Sequence, residues 1–191
     1  MASLDTYTDS NDVFAADWTV TPVDEEVVGE FTFRFSFDIH ASTSETWNVL
    51  RDFGLWMDDL EFEEVIGDSE GGTVYFTIAE PYYEQYRENY KAWDFDPKAF
   101  RKNLIVRRAT GNLIVVEDRS KSPRAIGGYY VLALSEQDGS STVAGAMGYA
   151  PEWASDEAAV RAQLESLADE VPGRWKTLYI PRLRQLVEAG G

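Results

Sequence analysis

Four phenylalanines at every second position, Phe31, Phe33, Phe35 and Phe37, leave this chain few folds to choose from. With Ile39 they form one face of an extended segment over 30–40. Thr32, Arg34, Ser36, Asp38 and His40 form the other. A period of two with large rings on one side marks a strand that buries that side. Such a face needs a cover, and the end of the chain offers one. Trp175, Leu178, Tyr179, Leu183, Leu186 and Val187 recur at helical spacing between Gly173 and Ala189.

The stretch between these ends reads as short helices and paired strands. Ser42 or Thr43 caps a helix, with Glu45 or Thr46 in its first turn. Trp47, Leu50 and Phe53 mark its inner stripe, Gly54 ends it, and a second short helix over 55–60 carries Trp56. Strands are expected at 61–66 and 73–79, at 104–109 and 113–119, and at 128–135 and 142–149, each pair joined by a turn rich in Gly, Asp, Asn or Ser. Adjacent strands with short turns imply an antiparallel sheet. Ser155 opens a further helix with the stripe Val160, Leu164, Leu167, Ala168 and Val171, and Pro172-Gly173 is expected to separate it from the terminal helix. Pro181 removes a backbone donor from that last helix at a cost of about 3 kcal/mol if unrelieved, so a kink is expected over 178–181.

Two segments stand apart. Residues 1–28 read as an acidic, partly mobile leader, with Asp5, Asp9 and Asp12 among Ser, Thr and Asn, then Pro22 and Asp24-Glu25-Glu26. Residues 81–101 read as a helical insertion in which Tyr82, Tyr86, Tyr90 and Trp93 share one face. The remainder, 29–191, is one α+β domain: a curved antiparallel sheet wrapped around a long C-terminal helix, with two short helices after the first strand.

This order resembles the helix-grip fold of START-like proteins, the superfamily (SRPBCC) of the birch pollen allergens and of the bacterial polyketide cyclase/dehydrase and lipid-transport group. The resemblance is carried by 35–54 (FSFDIHASTSETWNVLRDFG), by the run from Ser122-Pro123 to Tyr149-Ala150-Pro151, and by the tail 175–188. The first of these looks like the family's opening strand, small-residue cap and helical Trp followed by Asp-Phe-Gly. The resemblance implies a cavity between sheet and helix that holds an apolar or aromatic small molecule. It implies no particular catalytic residue, because members differ in their reactive groups. The chain departs from the pattern at 82–102 and 153–171, both of which border the expected pocket mouth.

Charge and composition narrow the partners. The chain carries 34 acidic and 17 basic residues, a net charge of −17. Such a surface repels phosphate backbones and anionic membrane surfaces, so neither nucleic acid nor membrane insertion is expected. The absence of cysteine excludes disulfides and thiolate chemistry. No signal-peptide pattern or membrane-length apolar run is present, so a cytoplasmic location is expected. One histidine and no spaced acidic loop give no metal site, and no phosphate loop, dinucleotide fingerprint or nucleophile elbow occurs. No cofactor is implied.

Three functions follow. The first is binding or transport of an apolar or aromatic small molecule by Phe33, Phe35, Phe37, Trp56, Phe76, Met147, Trp175, Tyr179 and Leu183. The small residues Ala144, Gly145, Ala146 and Gly148 leave room either for that ligand or for close approach of the last helix. The second is a polyketide cyclase/dehydratase-type enzyme acting on a phenolic or polyketide-like substrate. Glu117 or Tyr130 would supply the acid/base group with Arg108 beside it, if alternation turns them inward; an outward cross-strand ion pair is the competing reading. The third is a protein-partner module, including a homodimer formed through the 82–100 aromatic segment. His40, at the end of the Phe strand, reads as a solvated residue, and 58–64, with Asp58, Asp59, Glu61, Glu63 and Glu64, as a solvated acidic face.

Overall fold

The computed structural model describes residues 12–89, 95–118 and 128–189, with backbone only at 137 and 150–154. Eight antiparallel strands form one curved, unclosed sheet in the order β1-β2-β8-β7-β6-β5-β4-β3. The strands are β1 (Val13–Val23), β2 (Glu26–Ile39), β3 (Leu60–Phe62), β4 (Thr73–Ile78), β5 (Arg101–Thr110), β6 (Leu113–Asp118), β7 (Gly128–Gln137) and β8 (Ser140–Ala154). Two short helices, α1 (Thr43–Leu50) and α2 (Phe53–Trp56), follow β2, and α3 (Tyr83–Asn89) follows β4. A helix of 32 residues crosses the concave face. It comprises α4 (Glu157–Arg174), a π turn (Trp175–Tyr179) and α5 (Ile180–Glu188). This is a helix-grip arrangement of the α+β class.

The Phe strand behaves as its period dictates. Phe31, Phe33, Phe35, Phe37 and Ile39 of β2 are all buried. Ser42 caps α1 through a reciprocal box: its hydroxyl accepts from the Glu45 N–H, and the Glu45 carboxylate accepts from the Ser42 N–H. The Thr46 hydroxyl donates to the Ser141 hydroxyl, which donates to the Ala41 carbonyl, fixing α1 to the start of β8.

Two glycines set the depth of the grip. A Cβ on Gly29 would lie 2.5 Å from Val160 Cγ1, so α4 crosses β2 closer than any side chain there would allow. A Cβ on Gly145 would lie 2.1 Å from Cζ of Phe35, whose ring lies across β8 at that point. The small residues of β8 therefore have a structural use. On the inner face, Gly145 admits the Phe35 ring, which in turn meets Trp175 of the terminal helix with centroids 3.9 Å apart.

The structure differs from the sequence reading most at three places, and in smaller ways at α2, which spans Phe53–Trp56 with Gly54 inside it rather than 55–60, and at β3, which is Leu60–Phe62 rather than 61–66. The leader assigned to 1–28 is a strand over Val13–Val23, registered against β2 from Val13↔Ser36 to Val23↔Glu26. Asp24 takes the left-handed conformation (φ 57°) that a tight hairpin requires, and Asp tolerates it. Pro22 is accommodated because β1 is an edge strand. Second, Pro172-Gly173 does not separate two helices; both residues lie inside the continuous helix. Third, Pro181 is relieved by the π turn rather than by a simple kink. The Ile180 N–H reaches back five residues to the Trp175 carbonyl, and the Thr177 hydroxyl satisfies the Gly173 carbonyl at 2.8 Å.

No helix among the described residues is long and apolar enough to cross a membrane.

Candidate functional site

The nine residues expected to line a pocket are all buried. Phe33 and Phe35 (centroids 5.3 Å apart) and Phe37 (6.1 Å from Phe35) line β2. Trp175 leans on Phe35, and Trp56 of α2 meets both Trp175 and Tyr179 at 5.7 Å. Phe76 belongs to a second ring group, 5.3 Å from Phe62 and 5.8 Å from Phe100. That group continues through Phe95 to Tyr86. Met147 of β8 pairs with Phe33 on one side and Tyr130 on the other. Leu183 is fully buried under the helix. Between β2 and the π turn the rings rest on one another, so that part of the interior is core.

The three catalytic candidates divide. Strict alternation from Leu104 and Val106 would send Arg108 inward. A bulge at Arg107 interrupts it: Val106 pairs with Val116, yet Arg108 pairs with Val115. Arg107 and Arg108 are consequently both exposed. Glu117 lies on the outer face between buried Val116 and Asp118, and accepts from Arg107 Nε at 2.8 Å. Arg108 and Glu117 are not brought together in the interior; the cross-strand ion pair is outward, with Arg107 as the basic partner. Tyr130 alone of the three lies on the inner face, in register with Val116 and Met147.

Around Tyr130 the inner face changes character. Toward one end the sheet presents Ile114, Leu132, Leu134 and Val143. Toward the other it presents Lys102, Asp118, Tyr130 and Tyr149 from four consecutive strands of the sheet. Lys102 Nζ donates to Asp118 Oδ2 at 2.7 Å. The Tyr130 and Tyr149 hydroxyls are hydrogen-bonded to each other. Burial pushes the Tyr130 hydroxyl well above the usual phenol range, and neighbouring Tyr149, Asp118 and Tyr86 add to the rise. The Tyr130 ring is half-buried; its polar tip is the enclosed part.

A second buried carboxylate is connected to this set through Tyr86. Asp59, in the link between α2 and β3, is 1% exposed. Tyr86 donates to its Oδ2 at 2.7 Å, and the Tyr179 hydroxyl lies 2.8 and 3.0 Å from its two oxygens. Arg174 Nε stands 3.4 Å from Oδ2, and its guanidinium sits 4.6 Å over the Tyr86 ring. Burial raises the Tyr179 hydroxyl well above the phenol range, followed by the Asp59 charge; Arg174 opposes the shift.

Tyr86 links the two polar groups, since its field is felt by both Tyr130 and Tyr179. Of the aromatic stripe, then, Tyr86 turns inward to Asp59. Tyr90 and Trp93, and with them half of the expected 82–100 dimer surface, lie outside the described residues, as do Arg119 and Ser122-Pro123.

Sequence reasoning passed over Lys102, Tyr149 and Arg174, read Asp59 as solvated, and among the charged strand residues, Asp118 included, favoured Glu117 as the inward carboxylate. For Asp118 a signal existed: it continues the inward alternation of Ile114 and Val116. For Asp59, set in an acidic run that otherwise reads as solvated, none did.

Known proteins match this chain in shape. A Rhodobacter sphaeroides protein, 14% identical, aligns over 92% of this chain and 100% of its own with a TM-score of 0.54. A Staphylococcus aureus protein of unknown function, 7% identical, covers 95% of this chain and 98% of its own with a TM-score of 0.56. A Chromobacterium violaceum protein, 12% identical, covers 82% and 97% with a TM-score of 0.52. At these identities the likeness establishes the fold alone. No protein-family model and no curated protein matches the sequence.

Proposed function

We propose that the protein is a START-like, cytoplasmic binding or carrier protein for an apolar or aromatic small molecule held between the sheet and the terminal helix. One observation carries this reading: the inner face does not stay apolar but ends in buried Asp118 and half-buried Lys102, Tyr130 and Tyr149, which Tyr86 links to buried Asp59 and to Arg174. Burying polar groups costs stability unless each is partnered, and apolar residues of similar size would make a cheaper core. Apolar walls with a few convergent polar groups are the usual make-up of a ligand site. The ring group Phe76, Phe100, Phe95 and Tyr86 supplies such a wall beside the polar set.

Native mass spectrometry of protein purified from its source tests the proposal. A co-purifying organic adduct, lost on denaturation, is the expected result. Protein that carries no adduct, and whose tryptophan fluorescence does not respond to naphthalene-type probes at millimolar concentration, would overturn it.

An enzymatic reading retains one support, Tyr130. A phenol that burial keeps protonated can donate to a substrate carbonyl, and is unsuited to act as a base at neutral pH. A cyclase or dehydratase resting on Arg108 and Glu117 loses its two charged groups to the outer face.

A further inference from the structure

We propose that Asp118 is the polar anchor of the bound molecule, and that Oδ1 accepts a hydrogen bond from a neutral hydroxyl or N–H on an otherwise apolar ligand. This rests on the carrier reading above and gives it a substrate class.

Asp118 is 7% exposed and follows Ile114 and Val116 on the inner face of β6. Its Oδ2 is taken by Lys102 at 2.7 Å. Its Oδ1 is buried and has no hydrogen-bond partner among the described residues. A carboxylate oxygen has room for about two donors. One buried with none forfeits about 1–3 kcal/mol, and native proteins keep few such atoms. The neighbouring strands do not cover it. Asp118 is flanked in register by Leu104 on β5, an apolar residue, and by Gly128 on β7, which has no side chain. The Tyr130 and Tyr149 hydroxyls bond to each other, and neither is bonded to Oδ1.

The chemistry of the site selects among donors. Lys102 already balances the Asp118 charge, so a second cation would bring excess charge into a buried place. An anionic ligand would set a carboxylate against an unpaired carboxylate oxygen. A neutral donor meets neither cost. It also completes a row on the inner face from Lys102 through Asp118 to the ligand, with the apolar body free to lie on the Phe76–Phe100–Phe95 rings.

Calorimetric titration with 1-naphthol, 1-methoxynaphthalene and 1-naphthoate tests the assignment at pH 7. On the unmodified protein 1-naphthol is expected to bind about tenfold more tightly than 1-methoxynaphthalene, which has no donor, with 1-naphthoate weakest. The naphthol advantage should fall to about one in the Asp118→Leu/Lys102→Met double variant, which removes the ion pair as a unit, and to less than threefold in Asp118→Asn, whose amide presents a donor as readily as an acceptor. Equal affinity for naphthol and its methyl ether on the unmodified protein overturns the anchor while leaving a binding cavity in place. An undiminished naphthol preference in either variant removes Asp118 from the role. If none of the three probes binds, the carrier reading itself falls, and the anchor with it.

Discussion

Asp59 holds two tyrosine hydroxyls and stands beside Arg174 in the interior, and its substitution should show it. In Asp59→Asn the two tyrosine hydroxyls and Arg174 lose a charged acceptor at a site with almost no solvent. Removing one member of a buried charged set costs about 3–5 kcal/mol, so the urea midpoint should fall accordingly, with the slope of the transition unchanged. Gly145→Ala tests the opposite kind of constraint. The added methyl meets the Phe35 ring, which cannot retreat because Trp175 lies behind it. Overpacking of this kind costs about 1–3 kcal/mol, readable in the same titration.

The tyrosines give a pH signature. Tyr130 and Tyr179 both have folded-state values raised above the ordinary 10.0, chiefly by burial. A raised value means the folded state holds its proton longer than the unfolded chain does. The associated stability is complete below pH 10 and is lost as pH climbs above it. Thermal melts between pH 9 and pH 12 should therefore steepen downward above pH 10, and Tyr130→Phe and Tyr179→Phe should each flatten that decline. At this scale the sequence was legible where alternation was unbroken, as along Phe31 to Ile39. At Arg108 alternation alone did not decide between an inward site and the outward ion pair, because one extra residue in β5 reverses every expectation beyond it and a bulge leaves no mark in composition.

At the scale of elements, the terminal helix owes its continuity to the π turn. An α-helical turn in its place would drive the Pro181 ring into the preceding carbonyl, at a cost of about 3 kcal/mol. Deleting Thr177, an exposed residue of the turn, should thus destabilise the protein by roughly that amount. Adding Pro181→Ala to the deletion should recover most of the loss, a coupling that a double-mutant cycle measures directly. Pro181 announced a disturbance in the helix; that the helix widens by one residue rather than bending or breaking is not marked in the local sequence.

β1 is the element that sequence reading most underestimated. Its apolar residues are spaced too irregularly for a clean period, and polar residues dilute them. What holds it is pairing with β2 together with contacts from the far end of the chain: Phe14 stacks 6.3 Å from Phe33, Lys176 stands 4.7 Å over Phe14, and Arg161 lies 5.8 Å over Trp18. Limited proteolysis of the native protein should accordingly spare 13–25. Rapid cutting within that stretch would show that β1 is not part of the folded body.

For the whole molecule, the net charge of −17 acts as an internal pressure. Like charges spread over a body of this size repel one another in the folded state more than in the expanded chain, and salt shortens their reach to about 8–10 Å near physiological strength. The melting temperature should rise between 10 mM and 500 mM sodium chloride by several degrees, as scanning calorimetry would record. A flat response would mean that the outer ion pairs, such as Arg51–Asp68 and Arg101–Glu63, already offset the repulsion. The architecture at this scale was the part most readily read from the chain, since a ring-bearing strand at one end and an amphipathic helix at the other admit few arrangements. The polar lining was the part least readily read, because it is assembled from single residues on separate elements and none of them forms a local pattern.

Arg184 lies against Asp12 at 2.7 Å and against the Asp38 carbonyl at 3.0 Å, and the His40 N–H donates to Glu188 at 3.1 Å. These clasps span nearly the entire polypeptide, so their loops must be closed at full entropic cost before they return anything. During synthesis single hairpins can form, yet the β1–β2 pair joins the sheet only once β8 is made, and the concave side stays open to water until residues beyond 184 have left the ribosome. Throughout that interval the Phe31–Phe37 surface is a ready target for chaperones, and any small molecule that occupies it first would act as a folding template.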